Sequence, residues 1–141
     1  GYEIRLGSSL VQCKSKMQTT VALSTLEAEL YALVECTKSV QYYRGLLGEL
    51  GIEQKEPTLI LVDNQSCIGM SQSAMVSYRS RHIPLRYHFV KQCIREKSIR
   101  LEWVASAENT SDLFTKSLGK ELFLKHRDTV SSVVKTGREE V

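Results

Sequence analysis

The chain has 141 residues, of which 42% are hydrophobic and 25% are charged, a mixture typical of one soluble globular domain rather than a disordered tail. No stretch approaches the roughly 20 apolar residues of a membrane-spanning helix, so the sequence predicts no membrane contact. The net charge of +3 is compatible with a nucleic-acid partner without requiring one. Because the chain has neither a leader pattern nor an initiating Met, we expect it to begin inside a longer polypeptide.

The four cysteines carry no sign of a disulfide framework or of a zinc site. Cys13, Cys36, Cys67 and Cys93 are far apart and form no CxxC pair or Cys/His cluster at ligand spacing. We therefore predict reduced and mostly buried thiols, which are typical of an intracellular protein.

The first predicted elements are a hairpin and a long helix. Alternation of apolar and polar residues predicts strands at 2–6 and 10–13, with a turn at 7–9. Ser24 and Glu27 match the capping box at the start of a helix that ends at Gly51, with a break considered near Gly45 or Gly48. Its apolar stripe consists of Leu26, Leu30, Leu33, Val34, Val40, Tyr43, Leu47 and Leu50.

The rest of the chain alternates strands and helices. A continuous apolar run at 58–62 predicts a central strand covered on both faces. This order favours a mixed α/β layer with helices packed on it. The remaining predicted elements are a helix at 67–72, a loop at 71–81, a helix at 84–97, a strand at 99–104, helices at 110–118 and 120–136, and a frayed tail at 137–141.

Three acidic residues occupy places where carboxylates can do chemistry. Glu29 shares a helix face with apolar residues, Asp63 ends the apolar strand, and Asp112 lies at a predicted helix start. If they converged, their mutual repulsion would favour capture of Mg²⁺, and two such ions about 4 Å apart can activate water against a phosphodiester. Singly, each carboxylate has an ordinary explanation: an ion pair for Glu29, turn chemistry for Asp63, and a helix-dipole or capping role for Asp112.

A basic segment follows the apolar strand. Residues 79–100 carry a net charge of +6, whereas the rest of the chain sums to −3. Histidine and aromatic residues are interleaved with the cations, as in a surface that binds phosphates and bases. The alternative is a solvated helix whose charges only keep the protein soluble.

Six segments in the same order resemble the ribonuclease H domain that closes the Pol polyprotein of copia-type LTR retrotransposons. The resemblance extends from Gly1 to about His126 and includes the run Leu-Glu-Ala-Glu-Leu-Tyr-Ala-Leu around Glu29. The six segments are Gly1–Gly7, Lys14–Lys16, Leu23–Leu33, Val62–Ser66, Ser80–Val90 and Asn109–Lys116.

The resemblance implies a ribonuclease H-like fold, with a five-stranded mixed sheet flanked by α-helices, over residues 1–136. It implies an endonuclease that hydrolyses the RNA strand of RNA–DNA hybrids during reverse transcription, using two Mg²⁺ or Mn²⁺ ions. The family holds these ions with four carboxylates in the order Asp, Glu, Asp and Asp. Glu29, Asp63 and Asp112 match the last three, as catalytic residues and metal ligands.

Two departures from the family pattern affect this expectation. The first Asp lies on a strand upstream of Gly1-Tyr2, so the sheet lacks its first strand, and Glu3 does not replace that Asp. Cellular members also carry a His before the last Asp, and residues 104–111 contain none. The alternative to an enzyme is therefore an inactive relic or a nucleic-acid-binding module.

The resemblance also implies partners and a location. The partners are an RNA–DNA hybrid and the upstream reverse transcriptase region of the same polyprotein, and the location is a cytoplasmic virus-like particle or the nucleus. Selection for RNA would come from contacts to 2′-hydroxyls. The residues predicted to contact nucleic acid are Asn64, Ser66, Arg79, Arg81, His82, Arg86, His88 and Lys91.

Overall fold

The structure is a computed structural model that describes residues 1–16, 25–72 and 86–131. These residues belong to two compact units, one containing 1–16 and 106–131 and the other containing the described residues from 25 to 105. The strands are β1 (Tyr2–Leu6), β2 (Ser9–Lys14), β3 (Thr58–Val62) and β4 (Ile99–Trp103). The α-helices are α1 (Thr25–Glu49), α2 (Gln65–Gln72), α3 (Arg86–Arg95) and α4 (Lys120–Val130), and Ser106–Glu108 and Thr110–Phe114 are 3₁₀ helices.

This architecture confirms the predicted fold class. The strands form one antiparallel and one parallel pair, and helices flank them in a mixed α/β arrangement compatible with a ribonuclease H-like fold. No helix of the described ranges is long and apolar enough to cross a membrane. The predicted domain bounds of 1–136 and the tail at 137–141 extend beyond the described residues and stay predictions.

The antiparallel pair is the predicted hairpin. Leu6 pairs with Ser9 across a two-residue turn in which Gly7 has a φ of 61°. A positive φ at the first turn position is what a type II′ turn requires, and Gly adopts it without steric cost. The register shifts between Ile4 and Arg5, where Val11 forms a bulge in β2.

The same unit contains the C-terminal helices. The helix predicted at 110–118 is wrong in type and length, because a 3₁₀ helix ends at Phe114. Thr115 follows with a non-helical φ of −129°, which stops its continuation. The last predicted helix is α4, which ends at Val130 with Ser131 as its C-cap, earlier than the predicted end at 136; residues 132–136 lie outside the described residues.

The long helix α1 supplies much of the core of the second unit. It runs without a break through Gly45 and Gly48, and the capping residue Ser24 lies outside the described residues. Gly51 ends it with a φ of 78°, and the Ile52 N–H donates to the Leu47 carbonyl at 2.8 Å, as in a Schellman motif. The side chains that α1 buries are Leu30, Leu33, Val34, Cys36, Thr37 and Val40.

The apolar stripe of α1 is therefore only partly confirmed. Leu50 is exposed, whereas the other members of the stripe are at least half-covered: Leu30, Leu33, Val34 and Val40 are buried, and Leu26, Tyr43 and Leu47 are half-buried. The stripe predicted from spacing continues past the point where the rest of the unit covers the helix.

The strand β3 pairs in parallel with β4, from Thr58 opposite Ile99 to Val62 opposite Trp103. Ile60 and Val62 are buried on one face, whereas Leu59 and Leu61 are 39% and 53% exposed on the other. The prediction of a strand covered on both faces is thus wrong, because the described elements cover only one face of this pair. The continuous apolar run predicted burial of both faces of β3, whereas the described elements bury only the face of Ile60 and Val62.

The helices α2 and α3 flank a segment, 73–85, that lies outside the described residues. α2 begins two residues before the predicted start at 67 and ends at Gln72, as predicted, so the overlap of the predicted loop at 71–72 is wrong. α3 ends as Lys97 turns to a φ of 56°, and the Ser98 N–H donates to the Cys93 carbonyl at 3.0 Å.

Candidate metal and nucleic-acid site

Two of the three predicted carboxylates act on the same buried side chain. Cys67 in α2 has no exposed surface, and the pKa of its thiol is raised to about 12, mainly by burial. The negative charges of Glu29 and Asp63 contribute to this rise, because each disfavours a second negative charge nearby. The structure therefore brings Glu29, from α1, and Asp63, from the end of β3, to the surroundings of one sulfur atom.

The end of β3 and the start of α2 fix the position of Asp63. Val62 anchors the end of the strand in the core, and Asn64 caps α2. The Asn64 Oδ1 atom accepts a hydrogen bond from the Cys67 N–H at 3.1 Å, and its carbonyl accepts from the N–H groups of Cys67 and Ile68. Asp63 is half-buried between these anchors, where the helix N-terminus favours a negative charge.

Glu29 lies at the rim of the core, in the second turn of α1. Its side chain is half-buried, while Leu30 and Leu33 beside it are buried. The sequence predicted a carboxylate on the core-facing side of this helix, and the structure places it at the edge of that side. A half-buried carboxylate at this position can accept a cation without complete desolvation.

Asp112 lies in the other unit and is the most buried of the three carboxylates, at 6% exposed. Asn109, not Asp112, caps the 3₁₀ helix, because the Asn109 Oδ1 accepts from the Ser111 N–H and hydroxyl. The Lys116 Nζ donates to the Asp112 Oδ2 at 2.8 Å. Asp112 thus lies in the first turn of the 3₁₀ helix, where the helix-dipole explanation holds and the capping role belongs to Asn109, and Lys116 beyond the helix adds an ion pair.

The three-carboxylate site itself stays a prediction. Within residues 1–16, 25–72 and 86–131, no group of three or more His, Cys, Asp or Glu side chains gathers closely enough to hold a metal ion. Glu29 and Asp63 supply hard oxygen ligands of the kind that Mg²⁺ and Mn²⁺ prefer. These two residues fit a divalent ion in chemistry, and further ligands are needed to complete its coordination.

The basic helix α3 presents part of the predicted nucleic-acid surface. Tyr87, Val90 and Cys93 are buried, while His88 is exposed on the same helix. The Lys91 Nζ lies 5.8 Å from the centroid of the Tyr87 ring, a cation–π distance. α3 therefore combines a buried apolar side with a side that carries hydrogen-bonding and cationic groups.

Three of the other residues predicted to contact nucleic acid lie in α2, its cap or α3, and three lie outside the described residues. Ser66 is exposed in the first turn of α2, and Asn64 has the capping role described above. Arg86 is the first residue of α3. Arg79, Arg81 and His82 lie outside the described residues.

Sequence reasoning missed two buried polar groups in the first unit. The Glu3 Oε1 accepts from the Arg5 Nε at 2.9 Å and from the Thr110 hydroxyl at 2.5 Å, so Glu3 joins β1 to the 3₁₀ helix. His126 on α4 is 1% exposed, and neither ring nitrogen has a hydrogen-bond partner in the part of the chain that the structure describes. Neither group carries a signal in the spacing of the sequence.

A third missed feature is a buried hydrogen-bond cluster between α2 and α3. The Ser71 hydroxyl donates to the Cys67 carbonyl at 2.7 Å, and the Tyr87 hydroxyl donates to the same carbonyl at 3.2 Å. The Ser71 and Tyr87 hydroxyl oxygens also contact each other, and because each hydroxyl has one proton, two of the three contacts are donated at any one time. Burial raises the pKa of Tyr87 to about 12, so its hydroxyl keeps its proton at neutral pH.

The chain is similar to segments of several transposon polyproteins. Over 123 residues, 87% of the chain, it is 34% identical to the retrovirus-related Pol polyprotein from transposon TNT 1-94 of Nicotiana tabacum. Over the same length it is 30% and 29% identical to the retrovirus-related Pol polyproteins from transposons RE2 and RE1 of Arabidopsis thaliana. The aligned segment is 9% of the first relative and 8% of the other two.

No protein-family profile matches the chain, and no solved structure matches it. The chain spans less than a tenth of the length of the curated relatives it matches. The similarities confirm the retroelement part of the predicted resemblance: the chain is homologous to one segment of retrovirus-related Pol polyproteins of transposons.

Proposed function

We propose that the chain is the ribonuclease H segment of a retroelement Pol polyprotein and that it hydrolyses the RNA strand of RNA–DNA hybrids in its parent polypeptide. The observation that carries this proposal is the homology to Pol polyprotein segments, together with the positions of Glu29, on α1, and Asp63, at the end of β3, in one unit. These are two of the residues that match the family carboxylates, and they come from elements far apart in sequence.

In this proposal Glu29, Asp63 and Asp112 hold two Mg²⁺ or Mn²⁺ ions together with an Asp from an upstream strand. Bound divalent ions would activate water and stabilise the leaving oxygen of the phosphodiester. The residues of the chain itself orient the substrate: His88 and Lys91 on α3 contact phosphates, and the exposed Ser66 contacts the nucleic acid near Asp63. Asp63 is held beside that contact by the Asn64 cap.

The edge of β3 that faces away from β4 is where we place the upstream strand that would carry the first Asp. The Thr58 N–H donates to the Ser98 carbonyl and the Val62 carbonyl accepts from the Val104 N–H, so these residues face β4. In a parallel pair alternate residues turn to opposite edges, so the backbone groups of Leu59 and Leu61 face away from β4. Two-stranded sheets are marginal alone, and parallel sheets are normally larger and covered on both faces.

The test is cleavage of an RNA–DNA hybrid by a protein extended upstream through the first Asp. We expect Asp63→Asn and Glu29→Gln to reduce the rate by at least about a hundredfold, while melting temperatures change little. Glu27→Gln is the matched control, because Glu27 lies on the same helix and is also half-buried. Equal cleavage by the parent protein and Asp63→Asn would reject the assignment.

The described residues contain no group of three His, Cys, Asp or Glu side chains close enough to hold a metal ion, and this favours a second function, a nucleic-acid-binding module without activity. Such a module binds hybrids in a salt-dependent manner without turnover in Mg²⁺ or Mn²⁺. Lys91→Gln should then reduce the slope of log affinity against log salt by about one, whereas Lys38→Gln, whose lysine pairs with Glu35, should not. Efficient hybrid cleavage by the 141 residues would eliminate this second function.

A further inference from the structure

Cys67, Ser71 and Tyr87 form a buried cluster of hydrogen bonds at the first turn of α2. All three residues are less than 5% exposed. Each of the two hydroxyls has one proton to donate, and the Cys67 carbonyl and the hydroxyl oxygens are the available acceptors. The cluster is therefore satisfied internally, and its geometry fixes the three groups relative to one another.

Cys67 links this cluster to Asp63. The Cys67 N–H donates to the Asn64 side chain, and the Cys67 carbonyl accepts from the Ser71 and Tyr87 hydroxyls, either from both or from one that in turn accepts from the other. The residue is therefore fixed at both backbone ends, and the turn from Asp63 through Asn64 to Cys67 cannot shift without breaking one of these bonds. The bond from Ser71 alone is an ordinary contact within a helix, but Tyr87 comes from α3 and adds a tie between elements.

Tyr87 also contacts the cationic side of α3. The Lys91 Nζ lies 5.8 Å from the centroid of the Tyr87 ring, one helical turn away. One side chain thus reaches a predicted phosphate-binding lysine with its ring and the turn behind Asp63 with its hydroxyl. A Phe at this position would keep the ring contact and lose the tie to α2.

We propose that Tyr87 is a positioning residue that sets the distance between the phosphate-binding helix α3 and the carboxylate of Asp63. This inference rests on the proposed function, since it assigns the tie a role in aligning a bound hybrid with the carboxylates. Its mechanical part, that the Tyr87 hydroxyl immobilises the first turn of α2, concerns only the residues of the second unit.

The mechanical part is tested by amide hydrogen exchange on the 141-residue protein. Tyr87→Phe should reduce protection of the Cys67 and Ile68 amides by about tenfold, while amides in the middle of α1 keep their protection. Tyr42→Phe is the matched control, because Tyr42 is exposed on α1. Ser71→Ala leaves the bond from Tyr87 to the Cys67 carbonyl in place and should give a smaller loss. Unchanged protection in Tyr87→Phe, or an equal loss throughout α1, would overturn the proposal.

The functional part is tested on the upstream-extended protein with an RNA–DNA hybrid. Tyr87→Phe should lower kcat about tenfold and leave KM within about twofold, because Lys91 and the Tyr87 ring position remain. A purely structural role would reduce the amount of folded enzyme and leave the kcat of the folded fraction unchanged. An inactive parent protein rejects the proposed function, whereas an active parent with an equally active Tyr87→Phe variant rejects only the positioning role.

Discussion

Alkaline pH should destabilise the protein through a buried thiol on α1. Cys36 is 6% exposed, and burial raises the pKa of its thiol from 9.0 to about 12. Between these values the unfolded chain has lost the thiol proton, whereas the folded chain still holds it. The stabilisation is therefore complete below about pH 9 and is lost as the pH rises toward 12.

The size of the effect follows from the shift. From about pH 8 to about pH 10, the single thiol of Cys36 should lower the free energy of unfolding by about 1.4 kcal/mol, because one pH unit of differential ionisation corresponds to about 1.36 kcal/mol. Cys67, whose pKa is also about 12, contributes in the same direction. More than one thiol therefore contributes to the pH dependence of the free energy of unfolding in the wild type, and a substitution is needed to isolate the contribution of Cys36.

The assay is urea unfolding followed by circular dichroism at about pH 8, 9 and 10, with a reducing agent present. Cys36→Ala leaves a small cavity and should be less stable at every pH, but its decline from pH 8 to pH 10 should be smaller by about 1.4 kcal/mol. Cys13→Ala is the control, because Cys13 is exposed, and its slope should equal that of the wild type. An identical slope for Cys36→Ala and the wild type would refute the reasoning.

Three further predictions concern stability and accessibility. Arg44→Lys should cost about 1–3 kcal/mol in thermal unfolding, because the Arg44 guanidinium donates to the carbonyls of Gln54 and Glu56 and to the Thr58 hydroxyl; equal stability would contradict this. His126→Leu should raise the free energy of unfolding by about 1–3 kcal/mol, because it removes ring nitrogens that have no hydrogen-bond partner in the described ranges. A lower melting temperature would contradict this prediction. A thiol reagent at neutral pH should rapidly modify one cysteine per folded chain, Cys13, and fast modification of two would contradict the observed burial.

Residue type alone was sufficient to predict the hairpin turn at Gly7 and the end of α1 at Gly51. Gly7 and Gly51 have the positive φ that their turn and helix end require, and both were predicted from residue type. The start of α2 was missed by two residues because the Asn64 cap forms with a backbone N–H that spacing alone does not reveal. Prediction succeeded where a backbone conformation favours one residue type, as positive φ favours Gly. It was less accurate where a side chain hydrogen-bonds backbone groups at a helix end.

Features that depend on tertiary packing were not predictable in the same way. The apolar residues Leu59 and Leu61 gave the same pattern as their buried neighbours, yet they are exposed, because burial depends on which elements pack against that face. The Tyr87 hydroxyl finds its acceptor twenty residues earlier in the chain, and no periodicity encodes that contact. Glu29 was singled out because a carboxylate on a core-facing stripe is costly, and Asp63 because ligands collect where strands of α/β sheets end.

The three predicted carboxylates differ in how far the fold encloses them. Asp112 is buried but has the ammonium group of Lys116 at 2.8 Å, so a local ion pair explains its burial. Glu29 and Asp63 are only half-buried, and the negative charge of each raises the pKa of the buried Cys67 thiol. A half-buried carboxylate keeps part of its hydration, so its charge is less costly than that of a buried one. Glu29 and Asp63 therefore remain open to solvent, as the proposed uptake of an ion requires.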